Sequence, residues 1–186
     1  MECEEPRWTD ELRWISACDD AIRWCDTQPD RATAWANCER GDWMLWLLAE
    51  HHPANVDSDG RRALVGCAAE MARSVLPEFE KAYPNDLRPR MCLDVCDLYS
   101  NGVATRDDLY ATSLHAHAAV RAATNDSANA PVHAAVRAAQ YAATHPDIVA
   151  AYVASPFPST SEGLADAANT VRRWFPVAPS AEEGEE

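Results

Sequence analysis

Seven cysteines and six histidines give this chain its widest chemical repertoire. Zinc binding is the first chemistry to weigh. Cys92 and Cys96 stand four residues apart, which places both on one face of a helix, and His51-His52 and His115-x-His117 offer further ligand nitrogens. Zinc sites announce themselves with paired Cys knuckles at set spacing, and here one pair stands alone, flanked by Val95 and Leu98, which read as core. A cysteine nucleophile needs an exposed thiol beside a base, yet Cys25, Cys67, Cys92 and Cys96 all fall on apolar stripes. Serine chemistry lacks its Gly-x-Ser-x-Gly turn. A phosphate cradle lacks a glycine-rich turn, and Lys81 is the only lysine. Arg61-Arg62 and Arg172-Arg173 read as short basic pairs on helix surfaces. The expectation is therefore no catalytic residue, no metal and no cofactor. A metal- or thiol-dependent enzyme using the Cys/His set stays open as the alternative, as does a purely structural helical oligomer.

Charge narrows the partner. Lys and Arg number 16 against 30 Asp and Glu, a net charge of −14. Residues 1–59 hold 14 acids and 5 bases, and residues 176–186 hold 4 acids and no base. Such a field repels nucleic acid and anionic membrane surfaces. It suits a protein target with a basic surface, or serves solubility alone. The opening, Met1-Glu2-Cys3-Glu4-Glu5-Pro6, is acidic and lacks the apolar run of an export signal. No stretch reaches the ~18 apolar residues of a membrane span. An odd cysteine count without an export signal fits reduced thiols in a cytoplasm.

The elements that position these residues read as helices throughout. No segment alternates with the period of a strand. A first helix is expected over residues 10–26, capped by Thr9, with Leu12, Ile15, Cys18, Ile22 and Cys25 as its buried stripe. Asp30 caps a short helix carrying Trp35 and Cys38, and Gly41-Asp42 opens a third through Leu47-Leu48, with Asp42 as its cap. A fourth spans about residues 61–76, followed by a polar connection over 77–89. A fifth covers about 90–101, with Gly102 just past its end. Thr105-Arg106-Asp107-Asp108 resembles a capping box opening a sixth helix toward Thr124. After a break at 125–130, Pro131 starts a seventh that ends near His145-Pro146. A short segment, 147–153, and a Pro/Ser-rich loop, 155–161, precede a last helix over about 162–175. His117-Ala-Ala-Val-Arg-Ala-Ala123 recurs as His133-Ala-Ala-Val-Arg-Ala-Ala139, which reads as two alanine-rich helices in close contact. The expected fold is all-α, a compact bundle of about seven to nine helices in one domain, 1–175, with an acidic disordered tail, 176–186.

Trp35-Ala-Asn-Cys38-Glu-Arg40-Gly41-Asp42-Trp43-Met-Leu-Trp46 is the strongest local signal. Three tryptophans in twelve residues form either the nucleus of the core or a contact surface, since Trp and Arg anchor interfaces. With Arg23-Trp24 before it, this segment resembles the start of an immunity-protein family of bacterial polymorphic toxin systems, also found in phage genomes. The Arg61-Arg62, Leu64-Val65, Cys67-Ala68 and Leu76-Pro77 region and Arg88-Pro89-Arg90 continue the likeness. The resemblance implies an all-helical inhibitor of another protein, and it brings no catalytic residue. The histidines and acidic ends depart from the family pattern, which allows a different target. The function expected is a small acidic binder that neutralises a protein, of immunity type or a phage counter-defence protein such as an anti-CRISPR, by way of nucleic-acid mimicry. Its candidate contact residues are Asp19, Asp20, Asp26, Arg40, Asp42 and Trp43.

Overall fold

The computed structural model describes residues 7–123, 130–146, 149 and 161–179. Among these there is no strand. The helices are α1 (Asp10–Trp14), α2 (Asp19–Cys25), α3 (Arg31–Asn37), α4 (Gly41–His51), α5 (Asp59–Ala82), α6 (Arg88–Ser100), α7 (Arg106–Ala123), α8 (Ala130–Thr144) and, labelled here α9, Ser161–Trp174. The all-α bundle expected from the sequence is what the chain forms.

α5 is the central helix, packed against α4, α6, α8 and α9. Leu64, Val65, Cys67, Ala68 and Ala72 give it a fully buried stripe. Local signals start and stop several helices as expected. Asp30 accepts from Thr33 N at 2.7 Å at the start of α3. At the start of α5 the cap is not among those expected: Ser58 accepts from Arg61 N at 3.1 Å, and the helix begins at Asp59 rather than about residue 61. Thr105 and Asp108 exchange backbone-to-side-chain bonds at the start of α7, a true capping box. α6 ends in a Schellman turn, with Gly102 at φ 74° and Val103 N bonded to Leu98 O at 2.8 Å. The alanine repeat packs as expected: Ala116 and Ala119 of α7, and Ala135, Ala138 and Ala139 of α8, are fully buried. Its two histidines differ, since His117 is exposed and His133 is half-buried.

Four expectations need correction. The single helix over residues 10–26 is two helices. Ser16 adopts φ 63°, Ser16 N bonds Arg13 O, and Ala17 N bonds Leu12 O at 2.9 Å. This is a second Schellman turn, with serine where glycine is the usual residue, and it buries Leu12 and Ala17. Thr9 precedes α1, yet its hydroxyl does not cap; it donates to Asp26 Oδ1 at 2.6 Å. Asp42 lies within the first turn of α4, and Arg40 holds the cap position. α5 runs through Pro77 to Ala82, and α6 starts at Arg88, so the polar connection is short. A proline inside a helix removes one bond and costs about 3 kcal/mol. Phe79, 1% exposed, closes a small second core with Ala119, Val120, Val132 and Ala135 and offsets much of that cost. Apart from Ala130, Val149 and Ser161, the expected break at 125–130, segment 147–153 and loop 155–161 lie outside the described residues.

Ser16 offers a test of the first turn. A side chain in the left-handed region costs roughly 1–2 kcal/mol. Ser16→Gly should raise the urea-unfolding free energy by about 0.5–1 kcal/mol. A loss of stability would show that the serine makes an offsetting contact.

Candidate target-docking cleft

α1 to α4 enclose an apolar cleft of about 560 Å³, within the range of small ligand sites. Its floor is Trp35. The α3 stripe turns this indole inward to 6% exposure, and its N–H donates to Phe175 O at 2.9 Å. Arg172 of α9 donates to Trp35 O at 3.2 Å and Cys38 O at 2.7 Å. A cation thus meets the carbonyl end of α3, where the helix dipole favours it. Arg31 donates to Pro179 O at 2.6 Å, so the residues just past α9 run back beside α3, and Ala178 joins the cleft lining.

The walls come from α2 and α4. Trp24 and Trp43 lie with ring centroids 6.3 Å apart, tilted at 56°. The Arg40 guanidinium stacks over Trp43 at 4.2 Å and donates to both Asp42 oxygens, at 2.9 and 2.7 Å. Those bonds to Asp42 push the Arg40 pKa above its ordinary value. Arg40 is thereby a fixed, planar, charged face beside an aromatic wall. Trp35 belongs to the core, while Trp43 and Trp46 are half-buried and line the cleft.

The six candidate residues do not form one cluster. Arg40, Asp42 and Trp43 line the cleft. Asp19 and Asp20 follow the lining residue Cys18, at the cleft edge, and both are exposed. Because α2 starts anew after Ser16, these two acids occupy its first turn and favour its dipole, rather than opposing that of one long helix. Asp26 ends α2 and turns to Thr9 and to Arg13, whose Nη2 lies 2.6 Å away. The Thr9 hydroxyl, and then Arg13, hold its carboxyl below the ordinary range. Sequence reasoning missed Trp8 and Ala178 as lining residues, and missed that Trp14, 89% exposed, stands wholly in solvent.

The cysteines carry no reactive thiolate among those with a resolved shift. Cys25 and Cys38 line the cleft, and burial pushes Cys25 up to about 11 and raises Cys38. Burial raises Cys67 as well, and a bond from Cys92 with burial raises Cys96. Cys92 donates to Ala139 O at 3.4 Å, deep between α6 and α8. Among the described residues, no three His, Cys, Asp or Glu side chains gather to hold a metal ion. The lining residues of the cleft include no histidine to act as a base.

These raised thiols set an alkaline limit. The folded pKa exceeds the unfolded one, so the unfolded chain loses its protons first as pH rises. The contribution is complete below the ordinary value of 9.0 and is lost as pH climbs to about 11. Urea midpoints should therefore fall between those limits, and Cys25→Ala should shrink the fall. An equal fall in the variant would remove Cys25 from the cause.

A family profile described as Imm-5 like putative immunity protein matches residues 54–175. The chain belongs to this family. Neither a curated protein nor a solved structure matches it. In this immunity protein the matched stretch begins after α4 and ends at Phe175, so it contains Arg61-Arg62, Leu76-Pro77 and Arg88-Pro89-Arg90. The tryptophan-rich segment and nearly all of the cleft lie ahead of it. The immunity-protein core and the cleft meet where α9 packs on α4. Arg61, 6% exposed, is a second tie: it reaches toward His52 O after α4 and Thr144 O at the end of α8, both at 3.5 Å. No described helix is long and apolar enough to cross a membrane.

Proposed function

We propose that this immunity protein neutralises a protein target by seating its α1–α4 cleft on a basic surface of that target. The cleft accepts an apolar or aromatic side chain between Trp24 and Trp43, and Asp19, Asp20 and Asp42 meet the flanking cations. The observation that carries the reading is the coincidence, in one family member, of an open tryptophan-walled cleft and an acid excess in the same N-terminal part of the chain, residues 1–59, with 14 acids against 5 bases. Aromatic anchors in a desolvated pocket ringed by charge are how interfaces concentrate affinity. Trp14 stands ready as a second anchor outside the cleft. No catalysis is needed, and the protonated Cys25 and Cys38 thiols suit a binding wall. The finer form of the proposal is a target that itself handles nucleic acid, whose groove the acidic face occupies, as a phage counter-defence protein of anti-CRISPR type would. The setting proposed is the cytoplasm.

The test captures the target from the native host and measures association rates with it. Asp19→Lys with Asp20→Lys should leave helix content intact and slow association by about tenfold at low salt, because steering by charge acts on the on-rate. The difference should shrink as salt rises and screening shortens to about 8 Å. Asp26 is spared in this variant, since Thr9 and Arg13 depend on it. Parent-like rates at both salts would sink the charge-guided reading.

A further inference from the structure

α7 leaves one side exposed to solvent, turned away from the bundle. Its buried side is Leu109, Thr112, Ser113, Ala116, Ala119 and Val120. On the opposite side, Tyr110 is 65% and Leu114 53% exposed. Asp107, Tyr110, Leu114, His117 and Arg121 recur at alternating steps of three and four residues, and all are exposed. That is the 3-4 spacing of residues lying on one helix face, with Tyr110 and Leu114 as its apolar centre, and it faces solvent. The neighbouring helix α6 adds Met91, 59% exposed, and Leu98, 46% exposed, on its own outer side. Single exposed apolar residues need no explanation; here Tyr110 and Leu114 stand at the centre of a line that has an acid at one end and a base at the other.

We propose that this face binds a second copy of the same chain, with the two α7 helices antiparallel about a two-fold axis at Leu114. Self-complementarity is the argument. Asp107 and Arg121 stand seven residues to either side of Leu114, so each Asp107 meets the partner's Arg121. Tyr110 meets the partner's Ala118, and Ala111 meets the partner's His117, so each large side chain lies against a small one. Leu114 meets its own copy at the centre. A two-fold contact requires this reciprocity, because one patch must complement itself. Acid at one end and base at the other forbid the parallel arrangement, which would set like charges together. α7 has 18 residues, a contact line about 27 Å long. α7 supplies no residue to the cleft, so the dimer presents two clefts to targets and stands independently of how they are used.

Sedimentation velocity of the full chain over a wide concentration range tests this. The parent should move reversibly from the single-chain mass of 20.5 kDa to twice that mass. Leu114→Glu should hold it at the single-chain mass with unchanged helix content. Asp107→Arg and Arg121→Asp should each weaken the dimer by about tenfold, and the two together should restore it, since opposite charges again face each other. If Arg121→Asp alters the fold, Leu114→Glu and Asp107→Arg still decide the matter. A single-chain mass at every concentration overturns the proposal. So does a dimer that survives Leu114→Glu and ignores the charge at residue 107.

Discussion

Replacing Trp35 by alanine should lower the unfolding free energy by about 3–5 kcal/mol, the range for removing a large buried aromatic. Trp35 is 6% exposed and forms the cleft floor, and its ring joins α3 to the main core. Its indole N–H is also the partner of Phe175 O, 140 residues away. Trp35→Phe separates the two effects. It keeps most of the apolar surface and strands the carbonyl, so it should cost about 1–2 kcal/mol. Urea unfolding followed by circular dichroism reads both variants without depending on tryptophan emission. A cost under about 1 kcal/mol for the alanine variant would mean that the floor of the cleft collapses to fill the hole.

Gly41→Ala should cost about 3 kcal/mol, against the sign of helix propensity. In an isolated helix the change gains up to about 1 kcal/mol. Here a Cβ on Gly41 would lie 2.5 Å from Ala167 Cβ and 2.6 Å from Ala168 N. The Ala168 nitrogen is backbone within α9, so no side chain can swing aside. The only relief is to part α4 from α9, which opens a contact between a wall of the cleft and the family core. Thermal unfolding of the variant checks the sign as well as the size. An unchanged or higher midpoint would show that α4 and α9 slide past each other freely.

The sequence reveals what is local. Asp30, Thr105 with Asp108, and Gly102 sit within four residues of the groups they satisfy, so their helix ends are legible without any fold. Apolar periodicity placed the faces of α5 and α6 for the same reason. Ser16 is not legible, because serine carries no mark of a left-handed conformation; burial of Leu12 and Ala17 around the turn selects it. The continuation of α5 past Pro77 is invisible for a related cause. Phe79 is worth burying only once α7 and α8 stand against it. The cleft shows an intermediate case. Its tryptophans are plain in the sequence, but whether each is floor or wall depends on Phe175 and Arg172, more than 130 residues further along the chain. With the turn at Ser16 in place, Asp19 and Asp20 open α2 and have a local reason to be there.

The reach of Arg172 has a consequence for how the molecule is born. The carbonyls that it holds, those of Trp35 and Cys38, leave the ribosome long before it does. Until residues 161–179 have emerged, α3 has neither its cation nor the Phe175 carbonyl, and Gly41 has no α9 to rest on. During that interval the growing chain holds a row of tryptophans whose floor, Trp35, has no anchor, a sticky intermediate of the kind that chaperones meet. Contacts that span most of the chain also form slowly, since a long loop must close first. The tryptophan-rich end of the protein is thus made first and matured last, and a prematurely terminated chain would retain the acidic helices without the contacts that order them.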